Sequence, residues 1–182
     1  MAIKTSLRQF QTELAQRLSS AKAEPAAARR LGVQCGTGYW LIDLADAGEI
    51  VPVPEILPVP LTKPWYVGVA NIRGSLYSVV DFSLFAGAES VPRGTENRLI
   101  LAGTRFGINS AILVTRMLGL RNPRDFTPAP APEGSATGGA AGAAGNEGPW
   151  MGTHWHDADA RLWHELKLQD LVEHQDFLQV GL

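Results

Sequence analysis

Four histidines, a few carboxylate pairs and one arginine are the residues here whose types and spacing could do chemistry. His154, His156, His164 and His174 all lie in the last third of the chain. His154 and His156 share one strand face by the period of two, with Asp157 and Asp159 close in sequence. A zinc site is conceivable there, but the usual ligand spacings are absent, and exposed strand histidines are the simpler reading. Asp43 and Asp46 could serve acid–base work, yet they stand in or beside turns, where solvation accounts for them. The tryptophans at 40, 65, 150, 155 and 163 could form a stacking platform for bases. No basic cluster stands beside them, so core and interface packing is the better account. No nucleophile elbow, phosphate-binding loop or dinucleotide fingerprint occurs. No catalytic residue, metal or cofactor is assigned, and a non-enzymatic protein is expected.

Arg73 is the residue with an unusual setting. It lies within VGVANIRGSLYSVVDF, Val67 to Phe82, where apolar runs flank Asn71-Ile72-Arg73-Gly74-Ser75. Val67, Val69, Leu76, Val79 and Val80 are types that pack on pleated sheets. The pair Val79–Val80 predicts burial on both faces close to Asp81. Gly74 supplies the backbone freedom of a tight turn, and Asn71 tolerates the same left-handed region. The stretch therefore reads as a β-hairpin with an arginine at or just inside its tip. Desolvating an unpaired guanidinium is costly, so Arg73 requires either turn carbonyls or a carboxylate partner.

The elements that must position this hairpin follow from the rest of the chain. With 182 residues, 45% apolar, the chain is one domain or two small ones with a real core. Net charge −2 gives no reason to expect nucleic-acid or membrane binding. One cysteine, Cys35, excludes an intramolecular disulfide and a cysteine metal cluster. No apolar run reaches the length of a membrane span and no apolar signal core opens the chain, so a cytoplasmic location is expected. Leu7, Phe10, Leu14 and Leu18 make one apolar stripe on a helix over 5–19, which either packs on its own domain or docks on a partner. Two strands are expected between Leu31 and Ile42, turning at Gly36-Thr37-Gly38. Five prolines between 52 and 64 leave room for an edge strand at Ile50 to Val53 and then extended chain. Glu49 opens that strand. Ser83 to Ala86 reads as a helical turn, and Asn97–Ala102, Gly107–Val114 and Met117–Leu120 as strands, Gly119 marking a bulge. Residues 127–149 are almost wholly Pro, Ala, Gly, Ser and Thr, a flexible insertion that cannot bury enough surface to order itself. A last hairpin, Trp150–His156 with Arg161–Leu166, precedes a short amphipathic helix carrying Leu168, Leu171, Val172 and Phe177. Nine or ten short strands with few helices indicate an all-β sandwich or barrel.

The ordered string Gly68, Asn71, Arg73, Gly74, Val80, Asp81, with Pro64 upstream, resembles the signature of the CheW-like domain. The resemblance runs from about Leu31 to Val172 and implies two interlocked five-stranded SH3-like β-barrels, with the N-terminal helix and linker (1–30), the insertion (127–149) and a C-terminal tail (173–182) outside the common pattern. It also implies a partner for the arginine: in the family a Glu-Ile or Glu-Val pair precedes the Pro-rich segment, and Glu49-Ile50 stands there. Glu49 and Arg73 are thus expected as a partly buried ion pair that also shapes a protein-binding surface. The implied function is an adaptor without enzymatic activity, coupling a chemoreceptor's cytoplasmic tip to the regulatory domain of a chemosensory histidine kinase. It would be cytoplasmic and held at membrane receptor arrays through protein partners, with no nucleic acid and no direct membrane insertion. The long first helix, the LRNP stretch at Leu120 to Pro123 and the Trp-rich last hairpin look most like PilI-type adaptors of type IV pilus twitching systems. One departure is Val114-Thr115 where Val-Asp is usual, which loses a carboxylate. The rival expectation is a small β-barrel that binds an oligonucleotide or another ligand.

Overall fold

The computed structural model describes residues 29–131 and 148–182. The candidate docking stripe Leu7, Phe10, Leu14 and Leu18 and most of the Ala/Gly-rich insertion lie outside the described residues. Among the described residues, twelve strands run in two six-stranded sheets. Sheet one has the order β10-β11-β12-β2-β1-β9 and sheet two β3-β7-β8-β6-β5-β4. Sheet one holds β1 (Arg30–Cys35), β2 (Gly38–Asp43), β9 (Arg116–Arg121), β10 (Thr127–Ala129), β11 (Met151–His156) and β12 (Leu162–Leu166). Sheet two holds β3 (Ala47–Pro52), β4 (Ile56–Leu57), β5 (Tyr66–Ile72), β6 (Ser75–Asp81), β7 (Arg98–Ala102) and β8 (Ser110–Val114). The middle of the chain thus builds one unit, and its two ends together build the other. This is the interlocking expected of the all-β, SH3-like pair. Each sheet exceeds five strands by one very short edge strand, β4 or β10.

Those two edge strands were invisible in the sequence for one reason. β4 sits among prolines and β10 is Thr-Pro-Ala at the start of the low-complexity segment, and both are defined by backbone pairing along a neighbour rather than by burial. The expected bulge at Gly119 is present: Gly32 faces Gly119 but Val33 faces Met117, and Gly119 has φ +84°.

In β7, Leu99 and Leu101 enter one cluster with Ala70, Ile72, Val79, Val91, Ala111 and Leu113, the interior of sheet two. Ile100 and Ala102 on the opposite face join a larger cluster with Val33, Trp40, Ile42, Val80, Ile112, Val114 and Trp150, which draws on both sheets. Alternation along doubly buried strands therefore feeds two cores at once. Val79 and Val80 divide between them as expected. The phase of β5 differs from expectation: Ala70 and Ile72 are the buried positions, while Val67 and Val69 are half-buried, because a register shift lies between Tyr66 and Gly68. A third cluster, Leu41, Phe126 and Trp163, fills sheet one.

Among the described residues, three short α-helices complete the fold: α1 (Phe82–Phe85), α2 (Leu168–Glu173) and α3 (Gln175–Leu178). The closing helix is broken in two at His174. Phe177 of α3 is buried and stacks on Trp65 with ring centroids 6.3 Å apart. The last residues bind the chain before β5, Lys63 N–H donating to Val180 O and Leu182 N–H to Leu61 O.

Candidate protein-docking site

The hairpin of β5 and β6 turns through two residues, with Ile72 paired to Ser75. Arg73 has φ +52° and Gly74 +86°, so both central residues are left-handed, the turn whose twist matches the flanking strands. Asn71 is not itself left-handed; its Oδ1 accepts the Gly74 N–H at 2.9 Å and fixes the turn from outside. Gly68 has a different role. Its φ is +139° and a Cβ there would lie 2.2 Å from the Leu57 carbonyl oxygen, so only glycine lets β4 pass.

Glu49 and Arg73 meet. Arg73 Nη2 donates to Glu49 Oε1 at 2.5 Å. Burial corrects the expectation: the side chains are 76% and 41% exposed. The reason is the turn. Ile72 takes the inward position, and the next residue, at positive φ on the tip, projects outward. Glu49 lies on β3, one edge of sheet two, while the hairpin lies near the opposite edge. Val51, beside β3's outer residues, and Ile56 of β4 pack on the same cluster, so the sheet curls on itself and the ion pair spans the gap between its ends. Exposed apolar side chains accompany these elements: Ile50 next to Glu49, and Leu76, 61% exposed and in register with Asn71. An ion pair with free hydrogen-bonding capacity among exposed apolar groups is suited to protein contact.

Asp81, at the far end of β6, is buried and structural. Its Oδ1 accepts the Leu84 N–H at 3.2 Å, capping α1, and its Oδ2 accepts Ser90 Oγ at 2.7 Å and Val91 N–H at 2.9 Å. Val80 beside it packs in the shared core. Thr115, where a carboxylate was expected, accepts the Gly36 N–H on Oγ1 at 2.9 Å, so a hydroxyl holds the β1–β2 turn. Thr115 and Gly36 stand 79 residues apart, a pairing no local spacing reveals, whereas the partners of Asp81 all follow it within 10 residues.

The remaining chemistry-bearing residues resolve simply. His164 is buried, contrary to the reading of the histidines as exposed, because β12 pairs in parallel with β2 and seats the ring against Trp40. His154 and His164 approach Nδ1 to Nδ1 at 2.9 Å. Burial first and then His154 pull His164 down to about 4. His156 instead reaches the Ala160 carbonyl. Among the described residues no three His, Cys, Asp or Glu side chains are placed to share a metal. Trp40, Trp65, Trp150 and Trp163 are buried, and Trp150 edges onto Phe82 and Phe85 at 5.6 and 5.7 Å, so they pack the core rather than offer a base-stacking platform. Cys35 is buried and its thiol is pushed well up, by burial and then by Asp81, which removes it as a nucleophile.

Comparison with known proteins adds three findings. A family model described as the CheW-like domain matches residues 29–149. Protein PilI of Pseudomonas aeruginosa is 25% identical over 92 residues, which is 50% of this chain and 51% of that protein. The chain thus spans about half the length of this curated relative. The crystal structure of the scaffolding protein TtCheW from Thermoanaerobacter tengcongensis superposes with a TM-score of 0.61 over 82% of this chain and 94% of that one. Its sequence identity is 17%, so the likeness is one of fold.

Proposed function

The chain belongs to the CheW-like domain family, and on that premise we propose that it is a non-enzymatic adaptor in a chemosensory signalling system. It joins a chemoreceptor's cytoplasmic tip to the regulatory domain of a histidine autokinase. The pathway we infer is control of type IV pilus twitching motility, with PilI the relative that supports it. The protein acts in the cytoplasm, held at receptor arrays by its partners. The working unit is the body from 31 to 172 with the tail 173–182 packed on it through Phe177, and the stripe Leu7, Phe10, Leu14 and Leu18 is an added docking element. The observation that carries the reading is the exposed Glu49–Arg73 pair at the hairpin tip, flanked by Ile50 and Leu76. Structural pairs seldom hold two long side chains in water for stability alone, whereas a rigid tip of mixed charge and apolar surface suits a partner patch of roughly 800 Å² or less.

The test is a pulldown of the purified protein with a receptor cytoplasmic fragment and with a chemosensory kinase, each against wild type and Arg73→Gln. Binding of either partner that weakens in the variant supports the proposal. Retention of neither partner by the folded wild-type protein sinks it. Deleting residues 1–24 in the same assay separates the roles of the stripe: a folded body with weaker binding assigns it to a partner, and aggregation assigns it to the protein's own core.

A further inference from the structure

The core-facing side of sheet two changes character at one end. Val80 of β6 and Ile112 of β8 stand in register, and both enter the shared core. Two residues earlier on each strand the same face carries Ser78 and Ser110, again in register. Tyr66, opposite Val80 on β5, extends this row, its hydroxyl donating to Ser78 Oγ at 3.2 Å. Ser110 is buried, and its Oγ has no hydrogen-bond partner among the described residues. A buried hydroxyl left unpaired is costly, so packing alone does not account for a serine at that position.

Small side chains at both positions leave space. A cavity of about 360 Å³ lies there, between the row of hydroxyls and the end of the chain. Val80 and Ile108 wall it on the sheet side, and Phe177, Leu178 and Val180 wall it on the other. The tail that forms this second wall is pinned by its backbone: Lys63 N–H donates to Val180 O, and Thr62 pairs with Gly181. Leu178 and Asn109, the exposed members of the lining, stand at its mouth. The volume falls at the small end of the range for small-molecule sites, about 300–1,000 Å³, and the lining has their usual make-up of apolar walls with a few placed polar groups. Among the described residues, no lining side chain carries a charge.

We propose that this cavity is a binding site for an uncharged small molecule with an apolar body and one hydrogen-bonding oxygen, a carbonyl or a hydroxyl. A charged ligand would shed its hydration there without meeting a counter-ion. A purely apolar one would leave the hydroxyl row unserved. Ser78, which accepts from Tyr66, keeps its own proton to donate. Ser110 Oγ is out of contact with solvent in the rotamer observed. A turn about its one side-chain torsion, between staggered positions, presents the hydroxyl to the ligand's oxygen and ends its lack of a partner. The site lies at the open end of the β5–β6 hairpin, where Tyr66 faces Val80, opposite the Arg73 tip, and does not rest on the adaptor reading.

The test is a titration of the ¹⁵N-labelled full chain with four benzene derivatives of similar size: acetophenone, toluene, benzoate and benzylammonium. The readout is the backbone amide shifts. The site predicts saturable shifts at Tyr66, Ser110 and Leu178 with acetophenone, and binding weaker by roughly tenfold or more for benzoate and benzylammonium. Ser110→Ala, which removes the hydroxyl and keeps the space, should weaken acetophenone roughly three- to tenfold and leave toluene unchanged. Ser110→Val, which puts methyl groups into the space, should abolish the binding of both; if it does not fold, the alanine variant carries the test. Absence of saturable shifts with acetophenone would leave the cavity to water and overturn the proposal. So would benzoate or benzylammonium binding as tightly as acetophenone, shifts centred elsewhere, undiminished binding in a folded Ser110→Val, or an alanine variant that treats acetophenone and toluene alike.

Discussion

Arg73 occupies a backbone region that costs a side chain-bearing residue about 1–2 kcal/mol, and its guanidinium then stands in water beside Glu49. A double-mutant cycle with Glu49→Gln and Arg73→Gln should therefore give a coupling of only about 0–1 kcal/mol in denaturant unfolding. Partner binding should show the larger coupling, because a docked surface desolvates the pair. A stability coupling of roughly 3 kcal/mol or more would mean that the pair is buried in solution. His164 behaves oppositely. Its folded value near 4 lies below the ordinary 6.5, so between those limits the unfolded chain binds the proton that the folded chain refuses. Its contribution is complete above about pH 6.5 and is lost as pH falls towards 4, amounting to at most roughly 2–3 kcal/mol. Urea unfolding of wild type and His164→Gln across that range should converge at the acid end. A pH dependence identical in the two proteins would contradict this account. What the sequence made legible at this scale was identity, not environment. Glu49 and Arg73 could be paired from the family pattern, but apolar neighbours on either side of Arg73 suggested burial, and only the left-handed turn decides that the side chain points out. His164 read as exposed because the strand that covers it, β2, lies more than a hundred residues earlier.

Among the elements, the central hairpin holds two glycines that do different work. At Gly74 a Cβ would meet nothing within 4 Å, so its requirement is the backbone angle alone. Gly74→Asn should cost well under about 1 kcal/mol, since asparagine enters that region readily. At Gly68 the angle and the Leu57 carbonyl both exclude a side chain. Gly68→Ala must push β4 from β5 and should cost on the order of 2–4 kcal/mol. Thermal melts of the two variants give the ranking, and hydrogen exchange at Val69 and Leu57 locates the damage. Equal losses would show that β4 yields freely. The strands with buried, alternating residues could be read from the chain because their side chains report the core directly. β4 and β10 could not, since an edge strand two or three residues long is written in backbone hydrogen bonds. Glycine 68 was legible as part of a signature, yet its physical reason is a close crossing that no local spacing reveals.

At the scale of the whole molecule, the largest core cluster belongs to both units. Trp40 and Ile42 come from sheet one, Val80, Ile100, Ile112 and Val114 from sheet two, and Trp150 sits among Trp40, Phe82 and Phe85 with no solvent exposure. The chain order reinforces this, because sheet one cannot close until the strands of sheet two have returned β9 to β1. Neither unit keeps a complete core alone, so the described body should unfold in one cooperative step. Trp150→Ala, which removes the shared indole, should lower stability by about 3–5 kcal/mol. It should move a single calorimetric transition downward rather than split it, with calorimetric and van't Hoff enthalpies still in agreement. Amide exchange in β7 and β8 of sheet two should then rise together with that in β1 and β2 of sheet one. Two transitions, or loss of protection confined to sheet one, would instead make the units separately stable, and the rigid spacing between binding faces that the proposed adaptor role requires would have to come from outside the chain.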